Sequence, residues 1–191
     1  KAFMAGWICR VIADEGLHLD VVSGGELYTA LRAGYPAEKI LFHGNNKSLD
    51  EMAMGVKAGV GRFVVDSHYE LKALDEIAGR SGVRQKILLR VAPGVEAHTH
   101  HYIETGMLDS KFGFGLTNGE AWHAAKEALW AKNLELTGFH SHIGSQILLV
   151  DGFIAAARRM VGFLADLKAD LGYEAMDLDL GGGLGVVYAR E

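Results

Sequence analysis

Short apolar runs and longer amphipathic stretches alternate along this chain, and the alternation predicts strands and helices in turn. Phe3, Trp7, Val11 and Ile12 recur at helical spacing, which predicts a helix over 3–14 with Gly16 at its C-terminal cap. Leu19 to Val22 is a short apolar strand. Gly24-Gly25 turns the chain, and a helix follows from Glu26 to Arg32, stopped by Gly34. Ile40 to His43 is the next strand, and Ser48 and Glu51 then stand at capping-box spacing, opening a helix to about Ala58. Further strands are expected at Phe63 to Val65, Ile87 to Val91, Leu136 to His142 and Leu178 to Leu180. Helices are expected over 66–78, 118–130 and 151–171.

Short apolar strands, each followed by a helix, imply a parallel sheet in an α/β fold. An open doubly wound sheet and a closed (β/α) barrel both fit that rhythm. About seven strand positions are present if Lys1 ends the first one, and a complete barrel typically needs about 250 residues. One segment breaks the pattern. Residues 92–117 form a long connection between a strand and a helix, and such connections are usually functional or disordered. No internal repeat or low-complexity tract interrupts the chain, so 1–191 reads as a single domain. The first residue is not methionine and no evident terminal element follows Tyr188, so a piece of a longer protein is expected.

Composition narrows the classes. The 191 residues are 49% hydrophobic and 23% charged, enough for one sizeable soluble core. The net charge is −5 and no basic stripe is present, which argues against nucleic acid as a partner. A single cysteine, Cys9, excludes a disulfide within the chain and suits a cytosolic compartment. No apolar run has the length of a bilayer span, so no membrane partner is expected.

Candidate chemistry clusters just after the strands, which in a barrel is the face that carries active sites. Gly181-Gly182-Gly183 follows a strand directly, where backbone N–H groups can approach an anion such as phosphate; a tight turn is the plainer alternative. A dinucleotide fingerprint fits poorly, because its third glycine would fall at Val186. His140 and His142 share a strand face, which suits a metal pair, an imidazole stacked on a planar cofactor, or buried core histidines. Ser145 is a natural phosphate ligand and equally a helix cap. Asp20 and Glu26 form a candidate acid–base pair, although Glu26 also suits the first turn of a helix. Lys111 reads first as a structural cation, and His98, His100 and His101 fit no familiar zinc spacing.

Several strings, taken in order, resemble one family. They are Lys1-Ala2-Phe3, the run from Gly16 through Asp20 and Glu26 to Leu27, and His43-Gly44-Asn45-Asn46-Lys47-Ser48. Then come Ser110-Lys111-Phe112-Gly113, the run Gly138 to Gln146, and Asp179 to Gly185. The chain is similar over most of its length to the fold-type III, alanine-racemase-like decarboxylases that use pyridoxal 5'-phosphate. That resemblance implies a truncated pyridoxal-phosphate-binding (β/α)8 TIM-type barrel whose last strand and C-terminal β domain lie beyond Glu191. It implies that Lys1 carries the cofactor, that His142 stacks on its ring, and that Ser145, Gly181, Gly182 and Gly183 hold its phosphate. Asp20 and Glu26 match acidic residues near the cofactor, and Arg90 and Lys111 match basic residues of the same pocket. No metal is implied. The activity implied is amino-acid decarboxylation, with conversion of meso-2,6-diaminopimelate to L-lysine and CO2 favoured. Carboxynorspermidine, ornithine or arginine decarboxylation, or a non-enzymatic pyridoxal-phosphate-binding barrel, are the alternatives. A small amino acid is the expected ligand, a homodimer the expected assembly of the full-length protein, and this piece alone is expected to be nearly inactive.

Overall fold

A computed structural model of the chain describes residues 3–95 and 111–188. Lys1, His98, His100 and His101 lie outside the described residues. The elements in chain order are α1 (Gly6–Asp14), β1 (Leu19–Val21), α2 (Gly24–Arg32), a 3-10 turn (Ala37–Lys39), β2 (Ile40–Phe42), α3 (Leu49–Ala58) and β3 (Arg62–Val65). They continue with α4 (His68–Arg80), β4 (Gln85–Ala92), β5 (Phe114–Gly115), α5 (Glu120–Trp130), β6 (Leu134–Ser141), α6 (Asp151–Leu171) and β7 (Asp177–Asp179).

Strand order separates the two architectures left open by the sequence. The order is β1-β2-β3-β4-β6-β7, with β5 beside β4. It follows the chain and never reverses. A doubly wound sheet reverses at a switch point, whereas a barrel does not. The fold is therefore of the (β/α) barrel class, and pairings such as Leu19↔Ile40 and Phe139↔Leu178 are parallel.

The residues fall into two compact units. One comprises Lys1–Leu88 and Glu127–Leu136, the other Leu89–Lys126 and Thr137–Glu191. In the first, Val21, Leu27, Ile40, Phe42, Met52 and Phe63 are fully buried, and the rings of Phe42 and Phe63 stack with centroids 5.4 Å apart. Full burial of side chains of this size is worth about 1.5–3 kcal/mol each. In the second, Phe139 packs edge-on against Phe163 at 5.2 Å, with Met160 and Leu167 buried from the same long helix.

Three helices of the first unit start in one way. Ser23, Ser48 and Ser67 each accept a hydrogen bond from the backbone N–H three residues on, at Glu26, Glu51 and Glu70. Ser48 and Glu51 form the capping box that their spacing predicts. The structure starts α2 two residues earlier than expected. Gly24 and Gly25 form its first turn because Ser23 caps them. Helix α1 starts later than expected, at Gly6, after an extended Ala5 whose side chain provides no cap.

Glu51 does more than cap its own helix. Its Oε1 accepts from the Gly24 N–H at 2.7 Å, and its Oε2 accepts from the Ser48 N–H at 3.0 Å. The Gly24 N–H, then that of Ser48, holds the carboxyl below its usual 4.5. A depressed carboxyl contributes stability above its unfolded-state pKa and loses it as pH falls through the folded-state value. We expect Glu51→Gln to cost about 1 kcal/mol at neutral pH. The gap from wild type should narrow below about pH 4, as the carboxylate is protonated in both states. Urea midpoints across pH 3–7 check this, and a gap that widens in acid would contradict it.

Candidate functional site

In the first unit the candidate residues lie on β1 and in the segments that follow β1, β2 and β3. Asp20 lies on β1 with its side chain exposed, and its Oδ1 is 3.4 Å from His43 Nε2, immediately after β2. Glu26, in the first turn of α2, accepts from the Val22 N–H at 2.7 Å. Glu26 thus serves the start of α2.

Lys47, which lies in one of the motif strings, and Glu70 are the most buried charges there. Lys47 Nζ is 2.8 Å from Glu70 Oε1, with the two side chains 1% and 6% exposed. The lysine also donates to the carbonyls of Gly44 and Val64. Glu70 Oε2 accepts from the Asp66 N–H at 3.0 Å. Burial pushes the Glu70 carboxyl up, against the pull of Lys47. A signal was available: Ser67-x-x-Glu70 repeats the spacing of Ser48-x-x-Glu51.

In the second unit the loops after β6 and β7 are zipped together. Ile147 N–H donates to the Gly183 carbonyl and Gly185 N–H to the Ile147 carbonyl, both at 2.9 Å. The Gln146 side chain brackets Val186, its Oε1 accepting from the Val186 N–H at 3.0 Å and its Nε2 donating to the Val186 carbonyl at 3.2 Å. Asp179 Oδ1 accepts from the Gly181 N–H at 2.7 Å. Gln146 and Asp179 lie within the motif strings, but nothing in their identity marks them as loop ties.

His142 lies against the glycine loop. A Cβ built on Gly181 would stand 3.0 Å from His142 Nδ1, and one on Gly183 would stand 3.3 Å from its Cε1. His140 is a core residue, 4% exposed, in register with Asp179. The two histidines therefore separate into one buried in the strand and one at the loop. Ser145 is exposed, next to Gly144, whose carbonyl faces Gly183. Arg90 sits near the end of β4 with its guanidinium over the Phe112 ring, 4.8 Å from the centroid. Lys111, one residue before Phe112, is exposed. So the structure brings His142, Gly181 and Gly183 together, with Ser145 on the adjoining loop.

A phosphate monoester fits this loop. The Gly181 N–H is already taken by Asp179, but those of Gly182 and Gly183 have no protein acceptor among the described residues. At Gly183 φ is +99° and a Cβ would be 1.9 Å from the Gly144 carbonyl oxygen, so only glycine can place its N–H there. Free backbone donors on glycines just past a strand make an anion-binding concavity. Among the described residues no group of three His, Cys, Asp or Glu side chains could hold a metal ion.

Comparison with known proteins agrees with this geometry. The model of the family described as "Pyridoxal-dependent decarboxylase, pyridoxal binding domain" matches residues 1–191. A diaminopimelate decarboxylase from Bacillus methanolicus is 51% identical over 191 residues, which is 100% of this chain and 44% of that protein. One from Mycobacterium tuberculosis H37Rv is 50% identical over 192 residues, covering 98% of this chain and 43% of the other. A crystal structure of diaminopimelate decarboxylase from M. jannaschii with L-lysine is 40% identical, with a TM-score of 0.89 over 97% of this chain and 43% of that one. The chain thus spans less than half the length of these relatives. An unbroken strand order, a glycine loop with free donors after β7 and a match along the whole chain lead to one conclusion: this chain belongs to the pyridoxal-binding domain family of the pyridoxal-dependent decarboxylases.

Proposed function

We propose that this chain is the cofactor-holding part of a carboxy-lyase that converts meso-2,6-diaminopimelate to L-lysine and CO2. The observation that carries the reading is the 50–51% identity to diaminopimelate decarboxylases along essentially the whole chain. Bound pyridoxal phosphate supplies the electron sink that lets a carboxylate leave an amino acid as CO2.

The residues divide the work. Lys1 would hold the cofactor through its amine. Gly182 and Gly183 N–H groups, with the Ser145 hydroxyl, would hold the phosphate, while Asp179 fixes the loop through Gly181. His142, which lies beside that loop, would stack on the planar ring. Asp20, Glu26 and Arg90 would set the charge around the cofactor. We read 1–191 as a single partial barrel domain, in a cytoplasmic protein that works as a homodimer on a small amino acid. No helix among the described residues is long and apolar enough to cross a membrane.

Borohydride reduction of the full-length protein loaded with pyridoxal phosphate tests the cofactor role. Peptide mass analysis should find the label on Lys1; label on another lysine would sink that assignment. CO2 release from diaminopimelate should far exceed that from ornithine, arginine or carboxynorspermidine. The reverse preference would move the protein to a sister decarboxylase. No release from any of them would favour a non-enzymatic carrier.

A further inference from the structure

We infer that Phe112 is a positioning residue that holds the guanidinium of Arg90 in place for the anionic cofactor. The inference rests on the proposed membership of Arg90 in the cofactor pocket. Arg90 interrupts a strand whose neighbours Ile87, Leu88, Leu89 and Val91 are all essentially buried. A long cation in such a run needs something to fix its head. The segment 111–115 lies directly across it. Val91 pairs with Phe114 and Ala92 with Gly115, and Phe114 is buried, anchoring the segment. Gly113 has φ +75°, and a Cβ there would come 2.5 Å from the Arg90 carbonyl oxygen and 3.0 Å from its Cγ. Close approach therefore depends on that glycine. Phe112, next along, presents its ring to the Arg90 Cζ at 4.8 Å.

Phe112 itself is 43% exposed. It does not serve as a core residue, whereas its ring face is well placed for a cation. A planar guanidinium stacked on an aromatic face keeps its N–H donors pointing outward in the ring plane. An aliphatic residue at 112 fills similar space without that orientation.

The test uses full-length protein and three variants, Phe112→Leu, Phe112→Tyr and Arg90→Met, with Phe112→Leu also made in the Arg90→Met background. The readouts are the dissociation constant for pyridoxal phosphate and the melting temperature of the cofactor-free protein. Phe112→Leu should weaken cofactor binding by about 3- to 30-fold. Phe112→Tyr should stay within about twofold, and the cofactor-free melting temperatures of both should match wild type. In the Arg90→Met background Phe112→Leu should add nothing further. Equal losses with and without Arg90 would overturn the inference, as would an unchanged dissociation constant in Phe112→Leu. If Arg90→Met itself leaves binding unchanged, the pocket assignment of Arg90 fails and the inference falls with it. If Arg90→Met weakens binding and Phe112→Leu does not, the positioning role alone is wrong.

Discussion

Replacing Lys47 by methionine should destabilise the protein by about 3–5 kcal/mol at neutral pH, the usual cost of leaving one partner of a buried ion pair uncompensated. The whole stability of a domain is about 5–15 kcal/mol, so the variant should be near its unfolding threshold. The physical cause is specific. Glu70 is nearly fully buried, and Lys47 is the cation that offsets the loss of water around its carboxylate. Burial already raises the Glu70 pKa with Lys47 in place, and removing the cation raises it further. A carboxyl raised in the folded state binds its proton more tightly there, so stability falls as pH rises from the unfolded-state pKa through the folded one. The Lys47→Met deficit should therefore be smaller at pH 5 than at pH 8. Adding Glu70→Leu should recover most of the loss, because a matched apolar pair removes the stranded charge. Urea denaturation of the two variants at both pH values checks this. A deficit independent of pH, with no recovery in the double variant, would show that the lysine acts only by filling space.

That pair also marks where sequence reading stops. Periodicity carries the long elements well. Helix α6 runs from Asp151 to Leu171, as its apolar spacing predicts, because twenty-one residues repeat one signal many times. Short elements have no such repetition. β5 is two residues long, Phe114–Gly115, and is invisible within the connection over 92–117. β4 begins at Gln85, earlier than expected, because the Gln85 amide is buried and donates to the Val60 carbonyl at 3.0 Å. A lone glutamine does not announce a buried strand start. The burial of Lys47 and Glu70 is hidden for the same reason: it is decided by a partner 23 positions away in the chain. The glycine loop was legible as a candidate anion site from residue type and place. The ties that shape it, Gln146 to Val186 and Asp179 to Gly181, were not, since such bonds depend on which loops meet.

Gly183→Ala should weaken pyridoxal phosphate binding by at least about 100-fold, the equivalent of losing one or two hydrogen bonds to a charged group. The new methyl would sit 1.9 Å from the Gly144 carbonyl oxygen, on a backbone with φ +99°. Neither end can yield alone. Gly183 accepts from Ile147, and the same loops are bridged at Ile147 and Leu184. Separating them would carry Ser145 and His142 away from the glycines together. Gly182→Ala is the informative control, because nothing lies within 4 Å of a Cβ there. It should leave the melting temperature of the cofactor-free protein unchanged, while Gly183→Ala lowers it. Titration of both variants with the cofactor, followed by absorbance, reads the binding arm. Wild-type affinity in Gly183→Ala would remove this loop from the phosphate site.

The reach of Glu51 back to Gly24 has a consequence for how the structure opens. The Gly24 amide belongs to the first turn of one helix, yet its acceptor belongs to the first turn of the next, 27 residues on. Glu70 makes the same backward step to Lys47. The starts of α2 and α3, and the loop before α3 and the start of α4, are thus tied in pairs. Loosening the start of α3 releases an amide in α2, and loosening α4 releases the loop before α3. The helix starts in this half of the chain are therefore coupled in both directions, and hydrogen exchange at the Gly24 amide should respond to changes at the start of α3 as well as in α2.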